Sequence, residues 1–198
     1  VIYQSSGSEA NDTQIKLQWF YNNARGKPEK KKIISRIKAY HGVTIASASL
    51  TGLPNNHRDF DLPLDRMIHT SCPHYWKEGR DGESEEEFVA RMVRDLEALI
   101  AREGADTIAA MIAEPVMGAG GVIVPPKGYF EAIAPVLEAL PMAPARVAGE
   151  VGRASSIKMI RSVMVKGIEA LTAECFLAAA RAGVADEVIG SLSASHGG

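Results

Sequence analysis

The sequence predicts an α/β domain with a parallel-rich sheet, followed by an all-α C-terminal segment. Strand-like and helix-like segments alternate over residues 1–140, which is typical of parallel strands connected by helices. Residues 107–113 form a near-continuous apolar run, as expected for a strand that is buried on both faces. No segment after Arg153 resembles a strand. We therefore predict a domain over residues 1–140, a junction at 141–148 and a helical segment over 149–198.

Hydrophobic periodicity and turn residues divide the first half of the domain into elements. In chain order we expect a short strand at residues 1–5, a helix at 9–24, a strand at 32–37 and a short helix at 44–50. Residues 53–83 are rich in Pro, Gly, Asn and Asp, and this composition predicts a long loop.

The helix at residues 84–102 is the most strongly indicated element. Ser84 and Glu87 form a capping box, and apolar residues follow at helical spacing. Gly104 is the residue type that commonly follows the end of a helix. A strand at 107–113 and a helix at 128–140 complete the domain, and the tail is expected to contain helices at 153–182 and 186–192.

The composition excludes several classes of protein. The chain has 22 Lys and Arg against 24 Asp and Glu, so its charge gives no reason to expect a nucleic-acid partner. No apolar run approaches the ~18–20 residues of a membrane span, so no membrane partner is predicted. Cys72 and Cys175 are too few for a disulfide framework and lack CxxC spacing, so we expect a cytoplasmic protein. The first residues carry neither an initiator Met nor the pattern of a signal peptide, and we interpret them as a cut or processed end.

The motif Ser6-Gly7-Ser8-Glu9-Ala10-Asn11 lies at a predicted strand-to-helix turn and has the features of an anion site. Gly7 allows a ligand to approach the backbone closely, and the unpaired N–H groups at a helix start point toward such a ligand. The helix dipole favours a phosphate there, and the Ser8 hydroxyl adds a hydrogen bond. A serine that only caps a helix has the same pattern, so the motif alone leaves both interpretations open.

Two further motifs follow predicted strands, at the edge where open α/β sheets bind ligands. Tyr40-His41-Gly42 supplies an aromatic ring and an imidazole, which suit stacking and hydrogen bonding to a planar ring. Glu114 precedes a glycine-rich loop, in which the backbone is able to approach a ligand. The alternatives are a tyrosine packed in the core with a surface histidine, and a solvated glutamate at a strand end.

These motifs occur together with others in one order along the chain. They are Ser6-Gly7-Ser8-Glu9-Ala10-Asn11-Asp12, Lys30-Lys31-Lys32-Ile33-Ile34, Tyr40-His41-Gly42, Ala113-Glu114-Pro115-Val116 and Gly120-Gly121-Val122-Ile123-Val124-Pro125-Pro126. The set resembles the class III, ω-transaminase-type aminotransferases, which depend on pyridoxal phosphate (PLP). The resemblance covers residues 1–140 and implies part of the large domain of the aspartate-aminotransferase fold. It also implies transfer of an amino group between an amine or amino acid and a keto acid or aldehyde, and a homodimer.

The resemblance implies roles for five residues. Gly7 and Ser8 hold the phosphate of the cofactor, Tyr40 stacks on the pyridine ring, His41 lies beside it, and Glu114 belongs to the network around the ring. PLP chemistry also requires a lysine that forms a Schiff base and an acidic partner for the ring nitrogen. The family's motifs for these two groups are absent after the matching segment. We therefore expect a truncated or fused chain with an incomplete catalytic set and weak or absent PLP binding.

A second resemblance is carried by Gly149-Glu150-Val151-Gly152-Arg153-Ala154-Ser155-Ser156-Ile157-Lys158-Met159 and by the residues that continue to Cys175. This run is similar to the all-helical C-terminal domain of phosphogluconate-dehydrogenase-like proteins, relatives of the β-hydroxyacid dehydrogenases. It implies a catalytic role for Lys158, with Ser162 in a position where better-known members carry Asn. The alternative for Lys158 is the solvated edge of a helix.

Two other classes of function therefore stand beside the aminotransferase. One is an NAD(P)-dependent hydroxyacid dehydrogenase-like module, although no G-x-G-x-x-G follows a predicted strand. The other is a non-catalytic product of fusion or truncation.

Two remaining patterns concern metal binding and assembly. The order His69-x-x-Cys72-x-His74 lacks a second ligand pair, so we predict no metal site. The predicted tail helix carries an apolar stripe without an evident partner in the first domain, which predicts self-association. The stripe consists of Ile157, Ile160, Met164, Ile168 and Leu171.

Overall fold

The computed structural model describes residues 4–140 and 153–196. The chain divides into two compact units, Val1–Pro144 and Ala145–Gly198. The predicted junction at 141–148 lies outside the described residues. So does most of the strand predicted at residues 1–5, and its described part, Gln4 and Ser5, is not a strand.

A three-stranded parallel sheet forms the centre of the first unit, with strand order β2-β1-β3. The strands are β1 (Lys32–Arg36), β2 (Met67–Thr70) and β3 (Ile108–Met111). The parallel-sheet prediction is therefore confirmed, with strands slightly shorter than expected at 32–37 and 107–113. Within β1, Ile34 is opposite both Ile68 of β2 and Met111 of β3.

The prediction of a continuous loop at 53–83 is wrong, because β2 and the short helix α3 (Tyr75–Glu78) lie within it. A short 3-10 helix also covers Pro54–Asn56. The sequence of β2, Met-Ile-His-Thr, is only four residues long and does not alternate between apolar and polar residues. Its strand conformation depends on pairing with β1, which is a tertiary interaction that local patterns do not reveal.

The helices of this unit are α1 (Gly7–Ala24), α2 (Ile45–Leu50), α3, α4 (Glu85–Glu103) and α5 (Tyr129–Glu138). Helix α4 confirms the predicted capping box, since the Ser84 hydroxyl accepts a hydrogen bond from Glu87 N at 3.2 Å and Ser84 N donates to Glu87 Oε2 at 2.8 Å. Helix α1 begins at Gly7, two residues before the predicted start, because the Ser6 hydroxyl caps it by accepting from Glu9 N at 3.2 Å.

Helices cover both faces of the sheet, and adjacent residues of β1 enter two separate cores. Ile34 packs with Phe88 of α4 and Ile133 of α5 on one face. Ile33 packs with Ile15 of α1 on the other face, together with side chains of α2 and β2. The alternation of side chains along a strand explains why β1 is apolar at consecutive positions.

The described residues of the second unit, 153–196, form two helices, α6 (Arg153–Ala182) and α7 (Ala185–His196). The long predicted helix is confirmed, and the second helix is longer than the predicted 186–192. Gly183 has a φ of +71°, a left-handed conformation that ends α6 and allows the chain to turn into α7. None of the helices in the described part of the chain is long and apolar enough to cross a membrane.

Candidate active site

The three predicted motifs lie together at the C-terminal edge of the sheet. Strand β1 leads into Tyr40 and His41, and the parallel strand β3 leads into Glu114. Hydrogen bonds join these segments to each other and to the start of α1. Val43 N donates to Ser8 Oγ at 3.1 Å, and Tyr40 N donates to Glu114 Oε1 at 2.9 Å. This is the edge at which open α/β sheets bind ligands.

The start of α1 is open on the side of Gly7. A β-carbon added to Gly7 would meet no atom within 4 Å. Ser6 caps the helix, so the capping interpretation is correct for Ser6, and Gly7 and Ser8 then form the first helical turn. The first N–H groups of a helix have no intrahelical acceptor, so this turn remains suited to an anion.

The loop after β1 packs tightly against the first turn of α1. Asn11 Nδ2 donates to His41 O at 2.6 Å. Gly42 has a φ of +132°, and a β-carbon added there would lie 2.6 Å from Ser8 Oγ. Only glycine fits this position, because both its conformation and its surroundings exclude a side chain.

Asp12 fixes the next turn of the same loop, and sequence analysis assigned it no role. Its Oδ1 accepts hydrogen bonds from Thr44 Oγ1 at 2.7 Å and from Ser47 N at 3.0 Å. Asp12 therefore holds the first turn of α2 against α1. Its position four residues after Ser8, on the same face of α1, is the signal that sequence analysis missed.

The alternative interpretation of a core Tyr40 with a surface His41 is wrong, because the structure has the opposite arrangement. His41 is buried, with its backbone N donating to Thr51 Oγ1 at 2.9 Å. Tyr40 is 39% exposed and is not a core residue. An exposed aromatic ring at the ligand-binding edge is therefore available for stacking.

Glu114 is partly exposed after the end of β3, and both of its carboxylate oxygens accept hydrogen bonds. Its Oε1 accepts from Tyr40 N at 2.9 Å, and its Oε2 accepts from Gly118 N at 3.1 Å. One carboxylate thus ties the loop after β1 to the glycine-rich loop after β3. Gly120 of the glycine-rich loop also packs closely against the loop after β1, because a β-carbon on Gly120 would overlap the backbone oxygen of Lys38.

Arg36 is a fully buried cation beneath this edge, and sequence analysis did not identify it. Its Nη2 donates to the backbone oxygen of Glu114. The guanidinium carbon lies 5.8 Å from the ring centre of Tyr129 and 5.7 Å from that of Phe130, in the range of cation–π contacts. Burial raises the pKa of Tyr129, and the nearby arginine charge partly offsets the effect. An arginine within the predicted strand was the available signal.

The histidines and the cysteine of the predicted loop do not form a cluster of metal ligands. His57 Nε2 lies 2.8 Å from Ala48 O, and His69 Nε2 lies 3.2 Å from Leu50 O. Burial lowers the pKa of His69 and raises the pKa of the Cys72 thiol. Among residues 4–140 and 153–196, no group of three or more His, Cys, Asp or Glu is placed to hold a metal ion.

A parallel α/β sheet thus brings a helix start, a partly exposed tyrosine and a hydrogen-bonded carboxylate together at one edge, the place where open α/β sheets bind ligands. Residues 1–138 match the family model described as aminotransferase class-III. The chain therefore belongs to the class III aminotransferase family.

Individual relatives are similar over the same segment. The chain is 61% identical over 138 residues to the probable gamma-aminobutyrate transaminase 2, mitochondrial, of Oryza sativa subsp. indica, covering 70% of this chain and 28% of the relative. It is 62% identical over 137 residues to the gamma aminobutyrate transaminase 1, mitochondrial, of Solanum lycopersicum, covering 69% of this chain and 27% of that protein. The chain thus spans little more than a quarter of these relatives.

Solved structures show the same similarity in three dimensions. A PLP-bound aminotransferase mutant from Vibrio fluvialis is 59% identical with a TM-score of 0.68, over 70% of this chain and 30% of that one. The omega transaminase from Pseudomonas jessenii, in complex with PMP, is 57% identical with a TM-score of 0.69, over 70% of this chain and 31% of that one. The partial aminotransferase fold predicted from the sequence is confirmed, and the family is PLP-dependent.

The lysines of the first unit's Lys30-Lys31-Lys32 motif lie away from this edge. They precede or begin β1, at the opposite end of the strand from Tyr40. Lys31 Nζ donates to Trp19 O at 2.7 Å, and Lys32 Nζ pairs with Glu103 Oε2 at 3.0 Å. The side chain of Lys158 lies outside the described part of the structure.

Proposed function

We propose that the C-terminal edge of the sheet is the PLP-binding part of a class III aminotransferase site. Such a site transfers an amino group between an amine or amino acid and a keto acid or aldehyde. The observation that supports the proposal most is the hydrogen-bonded convergence of three segments, from α1, from the loop after β1 and from the loop after β3. Each segment carries a residue type that this cofactor requires.

Gly7 and Ser8 are assigned to the phosphate. The N-terminus of α1 lies at the site, and its dipole and N–H groups favour an anion. Because Ser8 Oγ accepts its hydrogen bond from Val43 N, the hydroxyl proton is left to donate to a phosphate oxygen. The open space in front of Gly7 is consistent with a ligand that approaches the backbone.

Tyr40, His41 and Glu114 are assigned to the pyridine ring. The partly exposed ring of Tyr40 offers a stacking face, while buried His41 holds the loop through its backbone. Both oxygens of Glu114 accept from backbone amides, so its role here is to position Tyr40 and the glycine-rich loop.

The described residues perform the binding and orienting part of the reaction. When bound, PLP supplies the electron sink that amino-group transfer needs. Ser8 and the first turn of α1 hold the phosphate, and Tyr40 fixes the plane of the ring. The ammonium groups of Lys31 and Lys32 are engaged elsewhere, so no proton transfer is assigned to them.

Equilibrium titration with PLP and with pyridoxal, which lacks the phosphate, tests these assignments. Ser8→Ala removes one charge-assisted hydrogen bond, so PLP affinity should fall by about tenfold while pyridoxal affinity stays constant. Tyr40→Leu should weaken both ligands, because it removes a stacking face. Tyr21→Leu is the matched control, since Tyr21 is 49% exposed near the other end of α1. Equal losses of both ligands in Ser8→Ala, or no loss at all, would refute the phosphate assignment.

The missing lysine is tested with borohydride. We expect that treatment of the PLP-mixed chain leaves no covalent pyridoxyl group on any lysine, as judged by peptide mass spectrometry. An adduct at Lys158 or Lys166 would show that our assignment of the tail is wrong.

The finer predictions about the whole chain remain part of this proposal. They are a homodimer, a cytoplasmic location and an origin by fusion. The plant relatives include proteins named as mitochondrial and chloroplastic, so the location of this chain needs its own measurement. Fractionation of cells that express the chain with its native flanking sequence is the direct test.

The dehydrogenase-like tail is a second candidate module. Its support is limited to the quoted sequence run and to the helical conformation of α6. Titration with NAD(P)H tests it, and submillimolar binding would favour a dehydrogenase-like module over a non-catalytic tail.

A further inference from the structure

Helix α6 carries a continuous apolar stripe on one face. Ile160 is 74% exposed, Met164 68%, Ile168 58% and Leu171 70%. Residues three or four positions apart lie on the same side of a helix, so these four side chains form one surface together with Gly167 and Cys175. This set of six residues is called the α6 stripe below. An apolar surface of this extent usually marks an interface.

Helix α7 leaves the α6 stripe uncovered. It packs at the C-terminal end of α6, where Val184 N donates to Ala179 O at 3.0 Å and Ala179 is only 5% exposed. Ala179 lies one turn beyond Cys175, the last residue of the stripe, and the stripe residue Leu171 stays 70% exposed. Within the second unit, the described residues therefore supply no cover for the stripe.

We propose that the α6 stripe pairs with the same stripe of a second copy of this chain, antiparallel and about a two-fold axis between Gly167 and Ile168. The six positions of the stripe are spaced symmetrically about this point. Gly167 then faces Ile168 of the second copy, Met164 faces Leu171, and Ile160 faces Cys175. Such an arrangement is isologous and closes as a dimer.

Gly167 is the feature that favours the antiparallel orientation. A β-carbon added to Gly167 would meet nothing within 4 Å, so the position is an open notch in the stripe. In the antiparallel pair this notch receives Ile168 from the other copy. A parallel pair would align Gly167 with Gly167 and leave a void, which close-packed interfaces avoid.

The area of the stripe sets the expected affinity. From Ile160 to Cys175 the helix is about 22 Å long, and two helices packed over that length bury roughly 1,000 Å² in total. This area is at the lower end for specific interfaces, so we expect a dimer that dissociates on dilution in the micromolar range.

Sedimentation analysis of the full chain from about 1 to 100 μM tests the pairing. Leu171→Glu places a charge on the stripe, opposite Met164 of the second copy, and should lower the mass of the largest species. Leu177→Glu is the matched control, because Leu177 is 61% exposed and lies off the stripe. Circular dichroism establishes that both variants remain helical. A mass that is independent of concentration, or equal losses in both variants, would overturn the proposal.

Disulfide trapping tests the orientation. Cys175 is exposed, and Ile160→Cys supplies its predicted partner on the second copy. Under mild oxidation the variant should form a covalent dimer that links position 160 to Cys175, while the unsubstituted chain should not. A Cys175–Cys175 link in the unsubstituted chain indicates parallel pairing and would refute the antiparallel arrangement. Failure of Ile160→Cys to cross-link would refute it as well.

Discussion

Truncation of Glu114 should loosen the edge of the sheet by an amount that its two hydrogen bonds determine. Glu114→Ala removes the acceptors of Tyr40 N at 2.9 Å and of Gly118 N at 3.1 Å. Hydrogen bonds to charged groups contribute about 1.5–3 kcal/mol each, and water competes at this partly exposed position. We therefore take about 1 kcal/mol for each bond, or ~2 kcal/mol of the free energy of unfolding.

The measurement is thermal unfolding of the first unit, followed by the intrinsic fluorescence of its two tryptophans, Trp19 and Trp76. A loss of this size should lower the midpoint by about 4–8 °C for a domain of this length. Glu114→Gln keeps one carbonyl acceptor and should lower the midpoint by about half as much. Glu97→Ala removes an exposed carboxylate of α4 and is the matched control. If Glu114→Ala and Glu97→Ala unfold at the same temperature, the carboxylate does not join the two loops and the reasoning fails.

Three further perturbations test other parts of the fold. Gly42→Ala should destabilise the first unit by about 1–3 kcal/mol, because Gly42 has a positive φ and a β-carbon would lie 2.6 Å from Ser8 Oγ; wild-type stability in urea would contradict this. Ser84→Ala should cost about 1 kcal/mol through loss of the α4 cap, and an unchanged urea midpoint would count against the cap. Hydrogen bonds from Arg91 lower the pKa of Glu83 to about 2 from its ordinary 4.5. Because this pKa is depressed in the folded state, the ionised Glu83 stabilises the fold above pH 4.5, and the contribution is lost as the pH falls toward 2. Glu83→Gln should therefore make the free energy of unfolding depend less on pH between these values. If the pH dependence is the same in both proteins, the pairing with Arg91 is refuted.

Local signals determine which elements the sequence predicts well. Helix α4 is nearly correct at both ends because its capping box and Gly104 are properties of neighbouring residues. Strand β2 and helix α3 were missed because each has only four residues and depends on packing against distant parts of the chain. Strand β3 is shorter than its apolar run because it ends where its pairing with β1 ends, at Met111 opposite Ile34.

The same distinction applies to the candidate site. The proximity of Tyr40 and Glu114 follows from a rule about the carboxyl ends of parallel strands, so the sequence was sufficient for it. Ser8 follows no strand among the described residues, and its hydrogen bond from Val43 N joins it to the same edge. Arg36 was missed because an arginine in a strand is ordinarily a solvent-facing residue. Its burial depends on the rings of α5, which lie more than 90 positions later and become neighbours only in the folded sheet.

The central position of β1 in the sheet also has a consequence for synthesis on the ribosome. Its second neighbour, β3, ends about 75 residues later, and a chain grows at about 5–20 residues per second. The edge of β1 that pairs with β3 therefore stays unpaired for about 4–15 s. Throughout that interval the nascent chain exposes apolar side chains and unpaired backbone groups of β1. A chaperone would have time to bind them before the sheet is complete.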